Sequence, residues 1–335
     1  MTASNLVGRF LMALVTLAGV AVIVFCLLRI VPGDPIAMMI SPSATPADIA
    51  ALRAHYGLDL SIPRQFVIWF LDVLKGDFGT SISQRRDVVE LIAERLPATL
   101  ELAFAALIFG VLAGGFVATA GTLARRTPLE PILEFINGLF LAVPDFVWAL
   151  ALVLVFGVFW PVFPLSGRID PSLGTNFHTD FFLIESLVTL QFSAFGDLIL
   201  HMVMPMLALG LPLAAIIVRT LKEALSEAMV QDYVLLGRLK GMSSLRLVLQ
   251  EALRNAVGPT LTLTGVQFTF MIGGTVIVER IFSYPGLGNM AIDAVINRDL
   301  PLIQGIVLTF GAIFIVVNIL VDLIAAWLNP RQAHG

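Results

Sequence analysis

The residues of this chain best placed to do chemistry are few, and their strongest cluster suits docking better than bond-making. Arg219 and Lys222 open a polar island that runs through Asp232, Tyr233, Val234, Leu236, Gly237, Arg238, Lys240 and Gly241 to Arg246, Arg254, Asn255 and Pro259. Oily stretches flank it on both sides. Lys and Arg concentrated in a short loop hold that loop on the cytoplasmic side of a membrane. Residues from about Gln231 to Lys240 read as a short helix, because Asp232 favours its N-terminal end and Gly241 supplies a left-handed cap. Tyr233, Leu236 and Lys240 line one side. An aromatic and a leucine exposed among cations fit a groove on a partner protein, although the same pattern suits an amphipathic helix lying under lipid headgroups.

A second group of polar residues lies inside apolar runs. Pro144 and Asp145 interrupt the third such run roughly 20 Å from its cytoplasmic start, at 1.5 Å per residue. A carboxylate at that depth is costly and marks either a pathway or a pairing inside the protein. Thr260, Thr264 and Gln267 share a helix face, as one wall of a wet cavity would need; interhelical hydrogen bonding is the competing use. Asn318 and Asp322, four apart, read as polar glue. Gly110, Gly114 and Gly115 make a smooth face on which a neighbouring helix can rest.

Several chemistries lack their residues. No Gly-Lys dipeptide occurs, so a Gly-x-x-x-x-Gly-Lys-Ser/Thr phosphate loop is absent. His55, His178, His201 and His334 are scattered and form no His-Glu-x-x-His pair. Ser166-Gly167 is not a nucleophile elbow. No catalytic residue and no metal site is supported.

The elements that must hold these residues are membrane helices. The 335 residues are 58% hydrophobic and 13% charged, with a mean hydropathy of +0.94, which sets the chain apart from soluble domains. A net charge of −4 without a basic tract argues against nucleic acid as a partner. The single Cys26 lies in an apolar run as a small hydrophobe. Six apolar segments are long enough to span a bilayer, at about 10–30, 98–121, 132–160, 198–219, 259–279 and 302–328. The first is too long for a signal h-region and is expected to be retained. Short loops carry Arg125 and Arg126 between the second and third segments and the basic island between the fourth and fifth. Both termini are therefore expected in the cytoplasm.

The expected organisation is an N-terminal transmembrane helix at 1–30, an external helical segment at 31–96, a five-helix core at 97–328 with a cytoplasmic loop at 220–258, and a cytoplasmic tail at 329–335. In the external segment, Thr45 before Pro46 with Asp48 in the first turn starts a helix that Gly57 stops. Pro63 opens another, with Phe66, Phe70 and Leu74 forming an apolar stripe that Gly76 ends.

The Asp232-Tyr233-Val234 segment with Gly237, Lys240 and Gly241 resembles the ATPase-coupling loop of bacterial ABC importer permeases of the dipeptide, oligopeptide and nickel family. So do Val31-Pro32-Gly33-Asp34-Pro35, Tyr56-Gly57-Leu58-Asp59, Gly76-Asp77-Phe78-Gly79-Thr80-Ser81 and Arg95-Leu96-Pro97-Ala98-Thr99-Leu100-Glu101-Leu102. Near the C-terminus, Glu279, Tyr284-Pro285-Gly286-Leu287-Gly288, Asn297-Arg298-Asp299-Leu300-Pro301 and Asn318 to Asp322 continue the likeness. Each motif is weak alone; their joint order covers nearly the whole chain. The insert from Phe181 through His201 to Pro205 is similar to that of the first permease of dipeptide importers. Gly237 and Leu239 stand where the family usually has Ala, Tyr284 where it often has Trp, and Asp145 where it commonly has a neutral residue.

The resemblance implies an all-α integral membrane protein of six transmembrane helices with the type I ABC importer permease fold, in the bacterial inner membrane. It further implies a second homologous permease subunit, two ATPase subunits that bind ATP and Mg, an extracytoplasmic solute-binding protein, and no cofactor in this chain. Asp145, Thr264 and Gln267 are then the pathway candidates. A stand-alone channel or an intramembrane enzyme is the alternative.

With Cys26 replaced, a cysteine at Ser243 should be shielded from an impermeant thiol reagent applied to intact cells, and one at Ser172 should react. The opposite pattern would invert the topology.

Overall fold

Segments that cross hydrocarbon must satisfy their backbone hydrogen bonds internally, and this chain does so with helices. A computed structural model of the protein describes residues 3–30, 45–55, 59–125 and 127–328. The helices up to the first break are α1 (Ala3–Ile30), α2 (Pro46–His55), α3 (Ile62–Leu74), α4 (Val88–Leu123) and α5 (Leu129–Ala142). Next come α6 (Asp145–Leu152, continued by the π-helical residues Val153–Phe159), α7 (Phe182–Val188), α8 (Phe192–Ala228) and α9 (Asp232–Leu239). α10 (Ser244–Arg246) passes through a π-helical stretch, Leu247–Ala252, into α11 (Leu253–Ile281), and α12 (Leu287–Ile296) and α13 (Leu300–Leu328) follow.

Among the described residues five helical stretches are long and apolar enough to span a membrane, and α5 with α6 supplies a sixth as a pair bent by 102°. The bend has a local cause. Pro144 lacks an N–H and pushes Val143 into an extended conformation (φ −93°, ψ 122°), so the α5 ladder ends there and α6 starts afresh at Asp145.

Each span is longer than its apolar run. The helix expected from residue 98 begins at Val88, with Pro97 in its interior. Asp87 caps the start, its carboxylate accepting from the Val89 N–H at 2.7 Å and the Glu90 N–H at 3.2 Å. Likewise α8 continues to Ala228 and the next span starts at Ser244, which narrows the loop expected over 220–258 to about fifteen residues between them. Hydropathy marks where lipid begins, whereas a helix continues as long as it has a face to bury.

The chain divides into two compact units. In the larger, residues 98–285 with 316 onward, α8 is the central element and packs against α11, α6, α5 and α7. α4 joins it through glycines. A Cβ at Gly110 would stand 2.9 Å from Leu213, and one at Gly114 would stand 2.8 Å from the Ala214 carbonyl oxygen. Gly115 faces open space, so two of the three glycines make the smooth face.

In the smaller unit, residues 2–97 with 286–315, Val88, Leu91 and Ile92 of α4 form a core with Leu287, Met290, Leu302 and Ile306. Thr45 and Asp48 cap α2 reciprocally, the Thr45 hydroxyl donating to Asp48 at 2.7 Å and the Asp48 N–H donating back at 3.3 Å. That hydroxyl holds the Asp48 carboxyl below the usual carboxylate range. Phe66 and Trp69 of α3 lie 5.2 and 5.4 Å from the ring of the buried Phe25 of α1, and Phe70 stacks on Phe66. Residues 31–35 and 56–58, including the expected stop at Gly57, lie outside the described residues, as do Arg126 and the 329–335 tail with His334.

Two of the family-like segments meet in this unit. The buried Asp299 carboxylate accepts from the Ser81 hydroxyl at 2.6 Å, the Ser83 hydroxyl at 2.7 Å and the Ser83 N–H at 2.9 Å. Asp299→Ala strands the buried Ser81 hydroxyl and releases the exposed Ser83 to water, so a stability loss of roughly 1–3 kcal/mol is expected, the cost of one orphaned buried group. A thermal midpoint in detergent equal to that of the unaltered protein would contradict it.

Candidate functional site

The island's short helix forms where the sequence places it. Gln231 is extended (φ −76°, ψ 154°) and precedes Asp232 in the first turn of α9. At the other end Gly241 takes φ +78°, its N–H donating to the Arg238 carbonyl (2.9 Å) while the Met242 N–H donates to that of Gly237 (3.1 Å). These two bonds make a Schellman cap, which only a residue tolerant of positive φ completes without strain.

One face of α9 is buried. Val234 is fully covered, and a Cβ added at Gly237 would stand 2.6 Å from Leu247 and 3.2 Å from the Met242 sulfur. Glycine at 237 therefore lets the helix lie close on the π-helical start of the next span. Below it Leu225 and Ala228 of α8 pack with Val248, Ala252 and Ala256. The other face points outward: Leu235, Leu236 and Leu239 are 54%, 56% and 77% exposed, with Arg238 and Lys240 beside them. Tyr233 is half-buried, so leucines form the outward apolar surface in place of the expected aromatic. Three uncovered leucines on an eight-residue helix amid cations form an exposed apolar patch rimmed by charge.

The pathway candidates lie on two elements. Asp145 sits at the α5–α6 elbow, half-buried, its Oδ1 accepting from the Phe146 N–H at 2.9 Å. The carboxylate thereby meets the positive end of α6. Its Oδ2 lies against α11 at Gly274, where a Cβ would stand 2.5 Å from it. Gln267, half-buried, precedes Gly274 by seven residues and so shares that face of α11, about 10 Å away. Thr260 and Thr264 are buried, and their hydroxyls donate to Ala256 and Thr260 carbonyls of their own helix at 2.9 and 2.8 Å. The structure thus brings Asp145 and Gln267 to one face and commits the threonine hydroxyls to backbone.

A buried polar cluster that sequence spacing did not reveal lies in the same unit. Arg168 pairs with Glu101 at 2.7 Å and donates to the Asp180 carbonyl at 2.8 Å, its guanidinium lying 4.1 Å from the Phe182 ring centre. Glu101 also accepts from the Leu183 N–H at 3.0 Å, at the start of α7. Thr99 donates to Glu279 at 2.7 Å, joining two of the family-like segments. Glu101 and Arg168 are 67 residues apart, so only their charges in an apolar context could have hinted at the pairing. Among the described residues no group of His, Cys, Asp or Glu is arranged to hold a metal ion.

Long apolar helices, a proline-broken span and a small helix between two spans define a polytopic membrane protein. Residues 106–334 match the family of binding-protein-dependent transport system inner membrane components, and residues 3–103 match the N-terminal region of such membrane components. The chain belongs to this family and is a permease of the ABC importer type, a multi-pass inner-membrane protein. It is 33% identical over 323 residues to the dipeptide transport system permease protein DppB of Escherichia coli K12, covering 95% of both chains. It is also 33% identical to the di/tripeptide permease DppB of Pseudomonas aeruginosa, with 95% of each chain covered. The same identity relates it to the glutathione permease GsiC of Salmonella choleraesuis, over 97% of this chain and 98% of that one. Among solved structures, the MetNI methionine ABC transporter shares the fold, with a TM-score of 0.55 and 14% identity over 71% of this chain and 96% of the other.

Proposed function

We propose that the protein is one of two homologous permeases of an ATP-driven importer for dipeptides or short oligopeptides. Two cytoplasmic ATPase subunits bind the ATP and Mg, one of them docking on α9, and an extracytoplasmic solute-binding protein delivers the peptide. Both chain termini lie in the cytoplasm. The observation that carries this reading is α9 itself, with Val234 and Gly237 packed inward and three leucines left uncovered. The peptide substrate is supported by relatives named for dipeptides, tripeptides and glutathione.

In this mechanism ATP closes the ATPase pair and moves the helix seated on it. α9 packs on the π-helical start of the α11 span and follows directly from α8. A displacement at α9 therefore reaches the two helices against which the α6 elbow rests. ATP drives the cycle only through different affinities for the inward- and outward-open states. Asp145 faces the pathway and attracts the peptide's amino terminus, and Gln267 offers a neutral partner on the same α11 face. Thr264 contributes to the packing of that wall.

Leu239→Asp should uncouple ATP hydrolysis from uptake in reconstituted vesicles while the permease inserts and folds normally. Gly237→Arg should instead lower the stability of the permease itself, because its side chain meets Leu247. Normal uptake by Leu239→Asp would sink the docking assignment.

Asp145→Asn should reduce uptake of peptides with a free amino terminus roughly tenfold or more, the loss expected for one charged hydrogen bond. Acetylated peptides should be nearly unaffected. An unchanged ratio of free to blocked uptake, normalised to assembled complex, would remove Asp145 from the pathway.

A further inference from the structure

The larger unit contains a groove of about 620 Å3 between the end of α4, the length of α5 and the last turns of α8, a volume typical of small-ligand sites. Its mouth is charged with both signs. Arg125, Arg219 and Lys222 line it, and so do Glu130, Glu134, Glu223 and Glu227. Lys222, 19% exposed, is held by Glu134 at 2.7 Å and Glu130 at 3.3 Å, which fixes α5 to α8 across the groove floor. Arg219 reaches Glu223 only at 3.5 Å, both well exposed. Arg125 and Glu227 pair with no other described residue.

Beyond the charged mouth the walls turn apolar. Val117, Leu133, Asn137 and Val218 line both the groove and a second cavity of about 130 Å3, which runs on to Ile136, Phe140 and Leu211. From Val218 to Leu211 on α8 this extension covers about 10 Å along the helix axis, at 1.5 Å per residue. The side chains that form these walls belong to membrane-spanning elements, and α5 has no fully buried residue.

We infer that this groove binds a zwitterionic aminophospholipid of the phosphatidylethanolamine type. Its phosphate lies against Arg125 and Arg219, its ammonium against Glu223 and Glu227, and part of one acyl chain enters the apolar extension. Charge selects the headgroup. Among the described lining residues three cations stand against four carboxylates, so an anionic lipid gains no net attraction from them. A primary ammonium can donate hydrogen bonds to carboxylates, whereas a quaternary choline cannot. The apolar extension favours a lipid over its free headgroup, because that surface is covered only by a tail. Such a lipid would brace α5 against α4 and α8 at the foot of the broken span. The inference is independent of the transported substrate and of which membrane face the groove opens on.

Native mass spectrometry of the protein, purified with its co-purifying subunits and re-lipidated with equimolar phosphatidylethanolamine, phosphatidylglycerol and phosphatidylcholine, tests this. Retention of phosphatidylethanolamine is expected to exceed that of either competitor about fivefold or more. Gly138 lines the groove, and a Cβ there meets nothing within 4 Å, so Gly138→Phe should fill the groove and abolish the preference. Gly19→Phe, equally unobstructed and on α1, should leave it intact. Glu227→Lys, at an exposed position, should shift the preference towards phosphatidylglycerol. Equal retention of all three lipids, a preference surviving Gly138→Phe, or displacement by soluble glycerophosphoethanolamine as effective as by the lipid would each overturn the inference.

Discussion

The close approach of α4 to α8 supports much of the larger unit. Side chains in a membrane protein gain nothing by leaving lipid for an apolar interior, so helix association depends on surfaces that fit closely. Gly110 and Gly114 let α4 rest against Leu213, Ala214 and Ile217, and Gly210 returns the contact against Phe109. With that seam made, α8 buries residues along nearly its whole length and serves as the surface on which α5, α6, α7 and α11 assemble. A side chain at any of the three glycines would part the helices.

Buried polar contacts fasten the irregular segments to this frame. Arg168 and Glu101 are almost fully covered, and backbone groups of Asp180 and Leu183 join their pairing, the first accepting from the guanidinium and the second donating to the carboxylate. A buried ion pair of this kind adds little net stability, since desolvation offsets the attraction. It defines one arrangement of the loop, because a slipped alternative would leave a charge without a partner. In the smaller unit Asp299 acts similarly on the turn containing Ser81 and Ser83, with one carboxylate oxygen accepting from three donors.

The short helix α9 combines rigidity with exposure. Its inward face is fixed by Val234, by the absence of a side chain at Gly237 and by a fully bonded C-terminal cap. Its outward leucines are therefore presented at a defined angle.

Local signals in the sequence determined much of this protein. Continuous apolar runs gave the six spans, Pro144 gave the break, Thr45 with Asp48 gave the start of α2, and Asp232 with Gly241 gave both ends of α9. Each of these depends on residues within a few positions of one another. The ordered family-like motifs marked the permease from sequence as well. Tertiary structure decided what depends on contacts between distant segments. It extended α4 back to Val88, because Val88, Leu91 and Ile92 find a core supplied by residues some two hundred positions later. It turned Tyr233 partly inward and left leucines outside, set Asp145 against Gly274, and committed the Thr260 and Thr264 hydroxyls to their own helix. It also paired Arg168 with Glu101 and Lys222 with Glu130 and Glu134. Periodicity assigns a side chain to a helix face, but the element covering that face is set by packing across the whole chain.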